Sequence, residues 1–356
     1  MFPLFEHYPG LQLSLNKLSL GTFPTPVATL TGLEHRLGRS GLFIKRDDLS
    51  AELYGGNKVR KLELLLGDAR AKGAKRIITS GAAGSNHALA TALYGTRHGF
   101  KVTLMLFRQP PAPGIAATLA ADYSTGADIH FDDDYARHEG HIAEMVQKYA
   151  KDDGHAPYLI PPGGSSAVGV IGYVNAAFEL RRQMEEKVLP EPAAIYIALG
   201  TMGSAAGLLL GLRAAGIRSK LIAVRVTPDT VANADKFSQL FNRANEFLRE
   251  KDPSFPACSF SSDDFEIDDM YLGEGYGIAT PEAREAISVL NQTNGIVLDG
   301  VYTGKAGAAF LTGAALHHLH GKPLLYWHTK NSRSLVISDA FDYHRLPQGL
   351  HRYFIE

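Results

Sequence analysis

At 356 residues the chain exceeds the length at which one hydrophobic core usually stops growing, so two domains are expected. Lys plus Arg number 36 against 37 Asp plus Glu, which leaves no electrostatic case for nucleic acid or an anionic membrane as partner. A single cysteine, Cys258, excludes an internal disulfide and a cysteine-based zinc site; without a leader-like N-terminus or a membrane-length apolar run, the expected compartment is the cytoplasm.

Taken in chain order, short β-rich apolar runs alternate with helical patterns. The periodicity predicts strand Leu42–Arg46, helix Lys58–Lys72, strand Arg76–Ser80, a helix near Asn86–His98 and strand Lys101–Phe107. Helix Pro113–Thr125, strand Asp128–Phe131, helix Tyr135–Ala150 and helix Ala167–Met184 follow. Strand Ala194–Ala198, helix Ser204–Ala215, strand Leu221–Val226, helix Pro281–Asn294, a helix after Gly304 and strand Pro323–His328 complete the series. Such alternation predicts an α/β class with two open, twisted, mostly parallel sheets and flanking helices. Asp152–Ser166, rich in Gly and Pro, reads as a linker, and Pro253–Asp264 as a loop. The expected domains are 1–60 with 172–356 as the larger, and 61–171 as a smaller inserted α/β domain, with a ligand cleft between them.

The densest chemical signal is Gly55-Gly56-Asn57-Lys58-Val59-Arg60-Lys61. Two glycines allow a tight turn, and Lys58 stands where the next helix begins. A desolvated lysine at a helix start has a lowered pKa, as imine formation with a carbonyl cofactor requires; a solvated, basic helix start is the other reading. Gly200-Thr201-Met202-Gly203-Ser204, after a strand, suits an anion at a helix N-terminus. It lacks the Lys-Ser/Thr ending of a nucleotide loop and the dinucleotide glycine spacing, and a plain strand-to-helix turn stays open. Ser85-Asn86-His87 lies at another strand-to-helix junction, where Asn86 either caps the helix or bonds a ligand. Tyr276 and Tyr302 sit beside glycines and alone decide nothing. No metal site is expected: His138 and His141 stand three apart rather than four, and His317-His318-Leu319-His320 closes a helix, where cations suit the dipole.

In order, these pieces resemble the 1-aminocyclopropane-1-carboxylate deaminase and D-cysteine desulfhydrase family of pyridoxal-phosphate enzymes, which has the tryptophan-synthase-β fold (fold type II). The resemblance runs from about Leu20 to His328 and rests on Lys45-Arg46-Asp47-Asp48, Gly55–Glu63, Ser85-Asn86-His87, Gly200–Gly207, Gly275-Tyr276-Gly277, Val301–Lys305 and Trp327-His328-Thr329. It implies that Lys58 carries pyridoxal 5'-phosphate as a Schiff base and moves protons at the substrate Cα. It further implies that Lys61 and the Gly200–Ser204 backbone meet the phosphate, that Asn86 bonds the phenolic oxygen, and that Ser85 and His87 lie at the substrate carboxylate and near the ring. Tyr276 and Tyr302 match the family's active-site tyrosines, 26 residues apart. A homodimer is implied by the resemblance alone.

Thr303 and Thr329 separate the two activities. The deaminases resemble one another in having Glu and Leu at these places, whereas the desulfhydrases have Thr at both. A carboxylate at the pyridine nitrogen stabilises its proton and makes a strong electron sink; a hydroxyl gives only a neutral hydrogen bond. Expelling a thiolate needs less of a sink than opening a cyclopropane. The expected reaction is therefore β-elimination on a small amino acid, D-cysteine to pyruvate, sulfide and ammonia, with the cyclopropane deaminase or another β-eliminating lyase as the alternative. One departure stands out: Lys330-Asn331 occupies the place of the family's Gly-Gly.

Overall fold

A computed structural model describes residues 2–355, apart from the side chain of His317. Ten strands are formed among the described residues: β1 (Val27–Thr29), β2 (Leu42–Arg46), β3 (Arg76–Ala82), β4 (Lys101–Phe107), β5 (Asp128–Asp132), β6 (Tyr158–Ile160), β7 (Ala194–Leu199), β8 (Lys220–Arg225), β9 (Phe265–Asp268) and β10 (Leu324–His328). They make a six-stranded sheet in the order β1-β2-β10-β7-β8-β9 and a four-stranded sheet in the order β5-β4-β3-β6. All pairings are parallel except β1 with β2. This is the two-sheet α/β architecture that the alternation predicts.

The chain divides into two compact units. The first comprises the residues up to Leu15, Gly21–Lys61 and Ser165–Arg333; the second comprises Asn16–Leu20, Leu62–Gly164 and the residues from Ser334 onward. This differs from the sequence-based partition chiefly at the C-terminus, where the last two dozen residues join the second unit. The predicted linker Asp152–Ser166 also needs correction, since it contains β6, an edge strand paired with β3.

In the first unit, β10 lies between β2 and β7, and its residues Leu324–Trp327 are completely buried. Leu42, Ile44, Val224, Phe310 and Tyr326 fill one core cluster with the helices Pro281–Asn294 and Thr303–Ala315. Parallel strands buried on both faces read as continuous apolar runs, which is why these were legible. The helices Ala167–Glu185 and Gly203–Ala214 approach closely because Gly207 and Gly211 carry no Cβ; one added there would stand 2.2 Å from the Val170 carbonyl oxygen and 2.5 Å from that of Val174. Part of the glycine-rich stretch therefore serves helix packing. In the second unit, Ile78, Met105, Met145 and Tyr149 form a small core between β3, β4 and the helix Tyr135–Asp153. No described helix is long and apolar enough to cross a membrane.

Candidate active site

Gly55 and Gly56 set the entry to the helix Lys58–Ala71. A Cβ on Gly55 would stand 2.1 Å from the Asp48 carbonyl oxygen, and Gly56 has a φ of +88°, which disfavours any other residue. The turn delivers Lys58 to the first helical position. Burial alone pushes its amine down to about 8, and among the described residues no carboxylate pairs with it. A good fraction of such an amine is neutral near pH 8, as a nucleophile must be.

One turn along the helix, Lys61 is fully buried, and burial followed by the Lys58 charge drives its amine well down. It points into the turn after β7. A Cβ on Gly203 would stand 2.7 Å from Lys61 Nζ and 2.5 Å from Ser165 Oγ. Around this hollow, Gly203 N donates to Ser165 Oγ at 3.1 Å, Thr201 and Ser165 share a hydroxyl bond of 2.9 Å, and Asn57 Nδ2 donates to Ser204 Oγ at 2.9 Å. Met202, at the cap of the helix Gly203–Ala214, holds a φ of +66°, a left-handed conformation unusual for a branched-free but bulky side chain. A helix start, small residues and the Lys61 amine come together here, which is the composition of an anion cradle.

The same unit holds the tyrosine pair. Tyr276 and Tyr302 share a hydroxyl bond of 2.6 Å, and a Cβ on Gly200 would lie 3.3 Å from the Tyr302 ring, so the pair borders the cradle turn. Burial raises both phenols above their ordinary value. Asp299 fixes Tyr302 from behind: its Oδ1 accepts from Val301 N at 2.9 Å and Tyr302 N at 2.6 Å. Its Oδ2 accepts the Thr303 hydroxyl at 2.5 Å, and Asp299 N donates back to Thr303 Oγ1 at 2.8 Å. Thr329, which directly follows β10, is buried. His328, buried beside Asp48 at 3.9 Å, is lowered by burial to about 4 and is neutral.

The Lys330-Asn331 departure has a structural account. Asn331 Oδ1 accepts from Gly55 N at 2.7 Å and Arg333 N at 2.9 Å, while Asn57 N donates to the Thr329 carbonyl at 3.1 Å. Asn331 thus latches the end of β10 to the turn that delivers Lys58.

In the second unit, Ser85 Oγ accepts from Ala88 N at 3.2 Å and caps the helix Asn86–Arg97. The cap is Ser85, so Asn86 is the first helical residue rather than the cap that its residue type allows. His87 is buried in that helix. His138 and His141 each bond one oxygen of Asp132, at 2.6 and 2.7 Å, and the other ring nitrogen of His138 meets Ser80 Oγ at 2.6 Å.

The family model for pyridoxal-phosphate dependent enzymes matches residues 18–330. The chain belongs to that family. Over 99% of each chain it is similar, at 30% identity and a TM-score of 0.77, to a crystal structure described as an ACC deaminase homologue. It shares the fold of threonine deaminase isoform 2 from Solanum lycopersicum, at 19% identity and TM-score 0.60 over 93% of this chain and 85% of that one. It also shares the fold of O-acetyl serine sulfhydrylase isoform 3 from Entamoeba histolytica, at 16% identity and TM-score 0.59 over 93% of each. The fold is thus tryptophan-synthase-β-like and the cofactor pyridoxal phosphate. The cradle suits its phosphate: a Cβ at Gly203 would collide with Lys61 Nζ and Ser165 Oγ, so only glycine leaves this space open beside the lysine.

Sequence reasoning missed the support beneath Lys58 in this pyridoxal-phosphate enzyme. Arg60 turns away from the cradle and donates to Asp47 at 2.9 and 2.7 Å and to Glu179 at 2.9 Å from each of two nitrogens. Asp47 also accepts from Thr25, Tyr173 and Trp327. Burial pushes the Glu179 carboxyl up, but Arg60 and Lys45 outweigh it and hold it at about 2. Every member is buried and bonded, as a low-dielectric ionic network must be. Lys305 was also missed; its buried ammonium donates to the carbonyls of Leu272 at 2.8 Å and Gly275 at 3.0 Å, tying the Tyr276 loop to the Tyr302 helix.

Proposed function

We propose that this enzyme catalyses β-elimination on a small amino acid, converting D-cysteine to pyruvate, sulfide and ammonia. In this reading Lys58 holds the cofactor aldehyde and takes the Cα proton, which a lysine lowered to about 8 by burial is suited to do. Lys61, Gly200, Thr201, Met202, Gly203 and Ser204 hold the phosphate, Asn86 meets the phenolic oxygen, and Ser85 with His87 receives the substrate. Tyr276 and Tyr302, joined hydroxyl to hydroxyl, pass a proton to the departing group or shield it from water. Bound there, pyridoxal phosphate supplies an aldehyde and an electron-withdrawing ring.

The observation that carries the choice of substrate is position 303. It is a buried threonine whose hydroxyl is donated to Asp299, a carboxylate already engaged by two backbone N–H groups. Neither it nor Thr329 places a carboxylate of its own at the ring nitrogen, so a leaving group able to carry away its electrons is favoured. The second reading, deamination of 1-aminocyclopropane-1-carboxylate, is favoured by the 30% identity to the ACC deaminase homologue. Sulfide, ammonia and ketoacid assays on both cysteine enantiomers and the cyclopropane amino acid separate them. Sulfide and pyruvate from D-cysteine support the proposal; ring-opened ketoacid with no sulfide replaces it with the second reading.

A further inference from the structure

The chain's last turn reaches the junction that carries Ser85. In the second unit β3 ends at Ala82, and the turn Ala83-Gly84-Ser85 leads into the helix Asn86–Arg97. Two backbone bonds shape that turn: Ala83 N donates to the Phe107 carbonyl at 2.9 Å, and Ser85 N to that of Ala82 at 2.9 Å. The N–H between them, on Gly84, donates to the side-chain oxygen of Gln109 at 2.9 Å. Gly84 is closely packed as well, since a Cβ there would stand 3.0 Å from Ile115 and 3.4 Å from the Gln109 amide.

Gln109 is in turn fixed through its own backbone. The Tyr353 hydroxyl accepts from Gln109 N at 3.1 Å and donates to the Gln109 carbonyl at 2.8 Å, so a single phenol closes both main-chain groups of one residue. Tyr353 belongs to the short turn Gln348–Tyr353, which docks on the second sheet's edge. Arg352 makes a two-pronged bond to Asp133 at 3.0 and 2.8 Å, and Gly349 packs so tightly on Phe131 that a Cβ would meet the ring at 2.5 Å. No regular secondary structure requires this route from the far end of the chain to Gly84.

We infer that Gln109 and Tyr353 are positioning residues for Ser85-Asn86-His87, setting through Gly84 the geometry with which that turn receives the substrate carboxylate. The inference rests on the proposed role of that turn. Two links in series carry it, one bond from Gly84 to Gln109 and a pair of bonds between Gln109 and Tyr353, all neutral hydrogen bonds, so breaking either link corresponds to about a 3- to 10-fold effect.

The test uses holoenzyme of wild type, Tyr353→Phe, Gln109→Met and Gln109→Glu, the last of which keeps an acceptor for Gly84 N–H. Amide exchange of the peptide spanning 81–90 is followed with the β7 peptide as internal control. The Gly84 amide is expected to exchange about 3- to 10-fold faster in Tyr353→Phe and Gln109→Met, with Gln109→Glu near wild type and β7 unchanged. For whichever amino acid the wild type turns over, KM is expected to rise about 3- to 10-fold in Tyr353→Phe with kcat within twofold. Exchange at Gly84 that ignores both substitutions, or a KM that stays put while exchange quickens, overturns the inference. A wild type that consumes no amino acid sinks the substrate reading instead, and the exchange comparison still decides whether the clamp exists.

Discussion

Replacing Gly203 with alanine separates cofactor binding from folding at one atom. The new Cβ would stand 2.7 Å from Lys61 Nζ, 2.5 Å from Ser165 Oγ and 3.0 Å from Ser165 Cα. Lys61 Nζ and Ser165 Oγ are ends of side chains that can turn aside, and the Ser165 backbone at 3.0 Å needs to give only a few tenths of an ångström, so the fold is expected to survive. The cradle does not: Lys61 is displaced, and the methyl fills the hollow. Losing one charge-assisted hydrogen bond to a phosphate costs about 1.5–3 kcal/mol, which weakens pyridoxal phosphate binding roughly 10- to 150-fold. Titrating apo protein with pyridoxal phosphate, and reading the visible absorbance, gives the Kd directly; thermal melting of the apo form gives the control. An unchanged Kd with an intact fold would refute the assignment of this turn to the phosphate.

Four further outcomes are expected. The rate at which apo enzyme captures pyridoxal phosphate should climb about tenfold per pH unit and level off near pH 8, where burial has placed the Lys58 amine; a stopped-flow profile still climbing at pH 10 contradicts that environment. Tyr302→Phe breaks the phenol pair and should lower kcat about 100-fold or more while the protein keeps its cofactor band, whereas a small change would remove Tyr302 from proton handling. Arg60→Met leaves Asp47 and Glu179 buried without their cation and should cost about 3–5 kcal/mol, read from the urea midpoint.

The fourth concerns Asp122, whose two buried carboxyl oxygens have no partner among the described residues and whose pKa burial raises well above the usual range. A folded pKa above the unfolded one means the folded state binds the extra proton. Stability is therefore lost as pH rises from about 4 toward the folded pKa, at about 1.4 kcal/mol per unit. Asp122→Asn should remove that slope, so the gap between variant and wild type in urea denaturation widens as pH rises above about 4. A gap independent of pH would mean that Asp122 is ionised in the fold.

How much of this was written in the sequence depends on the range of the contacts. Lys58 and Lys61 share one turn of one helix, and β4 and the helix Pro281–Asn294 end where periodicity places them, because local pattern decides both. The helix Ala234–Lys251 carries the same local signal: Asn233 caps it, and Phe237, Leu240, Phe241, Ala244 and Leu248 recur at helical spacing and are buried. Strand β6 hid in a Gly- and Pro-rich stretch because three residues are too few to show alternation. The Arg60–Asp47–Glu179 network was not legible, since its members are up to 132 positions apart (179 minus 47) and only the fold makes their charges complementary. Tyr353 lies 244 residues from Gln109, and nothing near either residue announces the other.

The most direct test asks whether Lys58 is the residue that holds the cofactor. Borohydride reduction of the holoenzyme, digestion and mass spectrometry of the peptides place the phosphopyridoxyl group on a single residue. The expected result is a label on Lys58, abolished with the visible band by Lys58→Ala. A label on Lys61 or on any other lysine, or none at all, would contradict the assignment.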